Sequence, residues 1–332
     1  MNIAVLMPAG EVRDRFFPKE NAERLNALGD ALWNPSPHNY SPDELRAIAA
    51  RADVFVSGWG SPRLTGAALP DGAPRLLAHT GGTIAPYVDA EAMARGLRVA
   101  CVNDIFARST AEGAFAYTLC ALRRIAYWDR EMHEGRWRGD VFDNCGLYRR
   151  KVGLVGFGAV AGHLLKMLRA FGSDVRIASG HLTEAECAEL GAKKSTIAEI
   201  FSECDVISLH ASLTDRTQGM VGDGLLAAIR PGALLVNTAR GGLIDEDALI
   251  RHLKTGRFWA ALDVFATEPL PADSPLRELG NALLTPHMGG PTNDLFAACG
   301  AAVIDEIRRF RDGEPLELEQ SPKELLHMTA NG

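Results

Sequence analysis

Residues 152–162 read VGLVGFGAVAG: an apolar run, then Gly156-Phe157-Gly158, then residues that continue as a helix. The spacing is GxGxxG with Ala161 in the third place, and a strand before it and a helix after it make it the turn of a dinucleotide-binding unit. Gly156 allows the tight turn, Gly158 lets the backbone come close to a pyrophosphate, and at Ala161 a small residue suffices for helix–sheet packing. Phosphates would rest on N–H groups at the helix start, which adds Phe157, Ala159 and Val160 to the candidate contacts.

Working outward, the helix runs over 159–171, and strand-like runs follow as DVRIA (174–178), DVISLH (205–210), ALLVNTA (233–239), FWAALDVF (258–265) and ALLTPH (282–287), mostly with helical segments between them. Strands alternating with helices predict a doubly wound parallel sheet. Upstream, residues 2–7, 53–57, 76–79 and 99–102 repeat the pattern as a separate α/β unit. A long helix over 103–127, starting near Ser109 as N-cap with Glu112 three residues on, joins the two. After His287, Leu295, Ala298, Ala302 and Phe310 line one stripe of a last helix that packs back on the first unit.

The 332 residues suffice for two domains, and 47% hydrophobic with 23% charged residues is the balance of a globular chain. A formal charge of -7 argues against a nucleic-acid or anionic-membrane partner, both of which demand a basic face. The six cysteines are scattered, with neither CxxC pairs nor zinc-finger spacing, so no metal and no disulfide framework is expected and a reducing compartment fits best. No basic leader and no apolar stretch of about 18 residues is present, which points to the cytoplasm.

An acid that binds the adenosine ribose is expected roughly 20 residues past the glycines. Ser179-Gly180-His181 stands there instead, Ser179 being 23 positions after Gly156 (179 − 156). Without the acid nothing repels a 2′-phosphate, Ser179 can donate to one and Gly180 leaves room, so NADPH is expected to serve at least as well as NADH. If His181 points to solvent and Ser179 merely caps the turn, the site accepts both cofactors.

Three residues follow strands of the same sheet: Arg240 in VNTARGG, Glu268 in DVFATEP and His287 in LLTPHMGG. Arginine can grip a planar carboxylate with two parallel N–H bonds, and a histidine whose far nitrogen is held by a carboxylate is a good proton donor and acceptor. Each alone also reads as a surface or strand-end residue; together they read as a catalytic set. Trp59, on a loop after a strand, either walls a substrate pocket or packs. Trp128 and Trp137 pack the crossing helix and its following turn. Asp245, Glu246 and Asp247 are first-turn helix acids rather than a metal site.

From TGGTIAPYVD through HEGRW, VGLVGFG, SLHASLT, RPGALLVNTARGGLIDEDAL and ALDVFATEPL to TPHMGGPT, the chain resembles the D-isomer-specific 2-hydroxyacid dehydrogenases over nearly its whole length. The resemblance implies two Rossmann-like domains with an active site in the cleft: a flavodoxin-like substrate domain, 1–102 and 289–332, and an inserted dinucleotide-binding domain, 103–288. It implies that Arg240 binds the substrate carboxylate, that His287 is the acid–base and that Glu268 orients it. Gly81 and Gly82 match the loop whose N–H groups meet that carboxylate. Asp263 matches the acid near the nicotinamide amide; Thr238 and Ala239 fall on the nicotinamide side and His210, Ala211 and Ser212 on the adenosine-phosphate side, with Thr110, Thr217 and Gly289 as further cofactor contacts. Glyoxylate or hydroxypyruvate reduction with NAD(P)H by a homodimer is the implied activity, and 332 residues leave no room for an appended regulatory domain. Glu268 argues against the formate-oxidising relatives, which carry glutamine there. Ser212, where proline is common, leaves its loop less fixed, and Pro86 replaces a frequent acid of the substrate loop. A dinucleotide-sensing corepressor on the same fold is the alternative.

Overall fold

The computed structural model describes residues 1–69, 75–140 and 143–325. Runs such as Val54–Ser57, Leu76–His79, Val206–Leu209 and Leu234–Asn237 are buried at every position, which a parallel sheet achieves only with helices on both faces. The chain divides into two compact units, one up to Phe106 and again from Pro291, the other Ala107–Gly290.

The first unit holds β1 (Asn2–Val5), β2 (Asp30–Trp33), β3 (Val54–Ser57), β4 (Leu76–His79) and β5 (Arg98–Cys101). The second holds β6 (Lys151–Val155), β7 (Asp174–Ala178), β8 (Lys193–Lys194), β9 (Val206–Leu209), β10 (Leu234–Asn237), β11 (Trp259–Leu262) and β12 (Ala282–Leu284). Finally β13 (Glu319–Gln320) returns to the first sheet, antiparallel to β5. The sheet orders are β13-β5-β4-β3-β1-β2 and β12-β11-β10-β9-β6-β7-β8. Both are doubly wound, the first of flavodoxin type and the second with its order reversing between β6 and β9, where ligands bind at strand carboxyl ends.

Local chemistry explains the elements. Helix Ala159–Ala170 buries Ala161, Leu164, Leu165 and Leu168 at helical spacing. Ser41, Thr183 and Thr196 close capping boxes with Glu44, Glu186 and Glu199. Asp245 caps its helix by accepting from Ala248 N, with Glu246 and Asp247 in the first turn.

Several expectations need correction. The connecting helix spans Asn103–Arg123 without a start at Ser109, whose hydroxyl donates to Gly290 O (3.0 Å) and so does not compete for the backbone. It stops because Arg124 turns left-handed (φ 54), its guanidinium over the rings of Tyr127 and Trp259, 4.2 Å from each centroid; a separate helix, Ile125–His133, follows. The last helix, Leu295–Asp312, buries Phe296, Cys299, Gly300, Val303, Ile304 and Ile307 and leaves Ala298 exposed. Its buried face is set by Gly300, whose missing side chain admits the Phe16 carbonyl. Trp128 meets Tyr127 edge to face, but Trp137 is 75% exposed and so does not pack the turn as expected.

Candidate active site

In the second unit the glycine turn follows β6 directly. Gly156 has φ 89, and a β-carbon there would stand 2.5 Å from Ala211 N, so only glycine lets the β6 turn lie against the 210–211 backbone. Gly158 is the N-cap of helix Ala159–Ala170 without any side-chain cap, and a β-carbon on it would meet open space. The helix start therefore offers N–H groups at Ala159 and Val160 to an anion.

At the end of β7, Ser179 Oγ accepts from His181 N (3.2 Å), so Ser179 does cap its turn, with Gly180 and His181 exposed. At the end of β9, burial pushes His210 down to about 4, and Ser208 Oγ lies 2.9 Å from its Nε2. The loop beyond is more tightly held than serine in place of proline suggested. Thr217 Oγ1 donates to Ser212 O (2.6 Å) and accepts from Thr214 N (2.8 Å).

The chemistry-bearing side chains stand at the ends of β10, β11 and β12. Asn237, which the sequence reading passed over, shapes the turn that presents Arg240. Its Nδ2 donates to Arg240 O (2.9 Å) and its Oδ1 accepts from Ala239 N (3.1 Å). An asparagine two or three residues before a turn's end is the local signal for such a clamp. Burial pushes the Arg240 guanidinium below its ordinary value and the Glu268 charge opposes that shift, which puts the two in one electrostatic neighbourhood. Glu268 Oε1 accepts from Phe265 N (3.0 Å) while Oε2 lies 2.5 Å from His287 Nδ1. The remaining imidazole nitrogen, Nε2, is left for a reactant. Thr238 Oγ1 is buried at the end of β10 without a hydrogen-bond partner.

Asp263 has a structural role that sequence matching did not suggest. Its Oδ1 accepts from Thr285 Oγ1 (2.7 Å) and Met288 N (2.9 Å), with Tyr117 OH 3.4 Å away, and its Oδ2 accepts from Gly289 N (2.8 Å). Both oxygens serve the turn that carries His287. Thr110 lies within helix Asn103–Arg123. Arg240, Glu268 and His287 are thus brought together, whereas Gly81, Gly82 and Trp59 belong to the other unit. Trp59 there meets Phe16, Phe106 and Phe296 edge to face and keeps 40% exposure.

Comparison with known proteins fits this geometry. The family described as D-isomer specific 2-hydroxyacid dehydrogenase, NAD binding domain, matches residues 115–289. A D-3-phosphoglycerate dehydrogenase of Mycobacterium bovis is 33% identical over 314 residues, 93% of this chain and 58% of that protein, so the chain spans somewhat over half the length of that relative. A glyoxylate reductase of Korarchaeum cryptofilum is 32% identical over 231 residues, 68% of this chain and 69% of that protein. Among solved structures, a Thermus thermophilus protein aligns with TM-score 0.77 at 26% identity over 97% of this chain and all of its own. An acyclic imino acid reductase in complex with NADPH and D-Arg shares the fold, with TM-score 0.76 at 21% identity over 97% of this chain and 100% of that one.

Proposed function

The chain belongs to the D-isomer-specific 2-hydroxyacid dehydrogenases, and from that premise we propose that it interconverts a small 2-oxo acid and the matching D-2-hydroxy acid with a nicotinamide cofactor. The observation that carries this reading is the Glu268–His287 pair, 2.5 Å apart, at strand ends that also present Arg240.

The residues present fit the cofactor. The uncapped helix start behind Gly158 suits a pyrophosphate, and the unpartnered Thr238 hydroxyl suits a polar group at the end of β10. When bound, the reduced nicotinamide supplies hydride to the carbonyl carbon. Arg240 is proposed to hold the substrate carboxylate through its planar fork, and the loop of Gly81 and Gly82, in the other unit, is proposed to offer its N–H groups to a carboxylate. Glu268 fixes the imidazole through Nδ1, so that Nε2 of protonated His287 gives its proton to the carbonyl oxygen, completing the alcohol. In the oxidising direction the same nitrogen takes the hydroxyl proton.

Glyoxylate or hydroxypyruvate is the proposed substrate, supported by the similarity to a glyoxylate reductase. NADPH is proposed to serve at least as well as NADH, because no acid closes β7. A homodimer is proposed as well: helix Ile125–His133 buries no residue of its own, and Ile125 and Trp137 are 56% and 75% exposed. Rates for a panel of 2-oxo acids, glyoxylate, hydroxypyruvate, pyruvate and 3-phosphohydroxypyruvate, with NADH and NADPH test the reading. Turnover of at least one supports it, and inactivity on all of them overturns it.

A further inference from the structure

His79 closes β4, and its side chain is wholly removed from solvent. Nδ1 lies 2.8 Å from Oγ of Ser57, its register partner on β3. The ring rests on Tyr87, centroids 4.5 Å apart and planes at 35°. Nε2, fully buried, closes no hydrogen bond. An unmade bond of this kind costs about 1–3 kcal/mol, so a histidine here calls for an explanation beyond filling space. Burial pushes it down to about 3, with the Thr83 backbone opposing the shift, so the ring is neutral near pH 7.

The explanation lies one residue on, in the loop 80–82. A β-carbon on Gly81 would stand 2.5 Å from His79 Nε2, so the imidazole occupies the space that a side chain there would need. The other supports of the loop are equally definite. Thr80 N and Oγ1 both donate to Ser57 O (2.9 and 3.2 Å), and Cys101 Sγ donates to Gly81 O (3.0 Å). Gly82 lies against the Phe106 side chain, with a β-carbon there 3.0 Å from its Cβ. Among the described residues the N–H groups of Gly81 and Gly82 meet no backbone acceptor. The loop is therefore held through Thr80 and the Gly81 carbonyl, while the N–H groups of Gly81 and Gly82 are left for an anion, the arrangement an anion-binding loop needs.

We propose that His79 is a positioning residue: its imidazole, held at one rotation by Ser57, props the Gly81–Gly82 backbone so that both N–H groups meet the substrate carboxylate. This deepens the dehydrogenase reading and rests on it. Polar contact explains why an imidazole rather than a leucine serves, since Ser57 fixes the ring's rotation and an aliphatic chain would leave that serine unpaired.

The test is a double-mutant cycle of His79→Ala and Gly81→Ala, read with the 2-oxo acid that the parent turns over best. His79→Ala should raise KM for that acid by about tenfold or more while kcat stays within about threefold, because the loop binds the carboxylate and leaves the proton transfer alone. The dissociation constant for NADPH should not move, which also shows the variant to be folded. Gly81→Ala should raise KM in the parent but much less in the His79→Ala background, where the methyl group has room; a purely structural histidine would not give that non-additivity. Ser57→Ala should raise KM in the same direction by less, and it keeps the question answerable should His79→Ala not fold. An unchanged KM in His79→Ala, or strictly additive effects, overturns the positioning role. Inactivity of the parent on every 2-oxo acid instead removes the dehydrogenase reading itself, and those two failures look different at the bench.

Discussion

Asp263 holds His287 in a left-handed backbone conformation. His287 has φ 51, and its N–H donates to Asp263 O (2.9 Å), while the Asp263 carboxylate accepts from the next two amides, Met288 N (2.9 Å) and Gly289 N (2.8 Å). A non-glycine residue in that region costs about 1–2 kcal/mol, and it persists where its surroundings over-determine it. The strain falls on the residue whose ring must meet both Glu268 and a reactant.

Asp263→Asn tests this fastening. An amide turns an NH2 group towards at least one of three donors, Thr285 Oγ1, Met288 N and Gly289 N. Turnover should fall by about one to two orders of magnitude as the His287 ring loses its place. The melting temperature should fall as well, since a buried network loses a partner. Parental kcat in this variant would show that the turn holds without the carboxylate.

His287→Asn keeps a polar side chain but cannot shuttle a proton. Its kcat should drop by roughly 10²–10⁴-fold with NADPH binding intact, the usual worth of acid–base catalysis. Glu268→Gln should lose less, because an amide still holds His287 Nδ1 across the present 2.5 Å but no longer stabilises the cation. If the glutamine variant proved the worse of the two, the assignment of roles would be reversed.

Arg240→Lys removes the planar fork and keeps the charge. KM for the oxo acid should rise by about tenfold or more and kcat should fall too, since a point charge binds a carboxylate without orienting it. A change confined to cofactor affinity would detach Arg240 from the substrate.

What could be read in advance follows the physics of each signal. The turn at Gly156–Gly158 and the long apolar strands announce themselves because burial on both faces demands unbroken apolar runs. Strand β2 at the sheet edge, Asp30–Trp33, alternates exposed and half-buried residues and offers no such run, and β8 and β13 are two residues each. Arg240, Glu268 and His287 stood out as polar residues just past buried strands. His79 did not, because a polar residue closing LLAH looks like the end of a strand; its burial is decided by β3 and β5 on either side. Ser109 misled because a serine with a glutamate three residues on is a helix-start pattern, while the helix starts six residues earlier, at Asn103, and the Ser109 hydroxyl donates to Gly290 O instead.

Acid should weaken the fold through two histidines. His79 is held down to about 3 and His210 to about 4, against an ordinary 6.5. Below pH 6.5 the unfolded chain takes up protons at both positions and the folded one does not. Their contribution is therefore complete above that pH and is lost as pH falls towards the folded values, at up to about 1.4 kcal/mol per unit for each group. The melting temperature should decline between pH 6.5 and about 4.5, and less steeply in His79→Leu, whose replaced ring no longer takes part. Parallel curves for parent and variant would show that His79 titrates normally in the fold.

Cofactor choice turns on the end of β7. An acid there would hydrogen-bond both ribose hydroxyls and repel a 2′-phosphate; Ser179 does neither. Its Oγ accepts from His181 N (3.2 Å), which leaves its own hydrogen free to be donated outward, and exposed Gly180 places no side chain in the way. Positive charge is close by. Lys194, paired in register with Ile177 of β7, reaches back to donate to Leu182 O (2.5 Å), just past the turn. A lysine is a point charge without the arginine fork that grips phosphate best, so the preference for NADPH should be modest rather than absolute. Ser179→Asp adds a charge that meets a phosphate with repulsion and a ribose with two acceptors. The ratio of kcat/KM for NADPH to that for NADH should then fall by about tenfold or more, the scale of one well-placed charge. A parent that strongly prefers NADH, or a variant whose ratio stays put, would place the discriminating contact elsewhere than at Ser179.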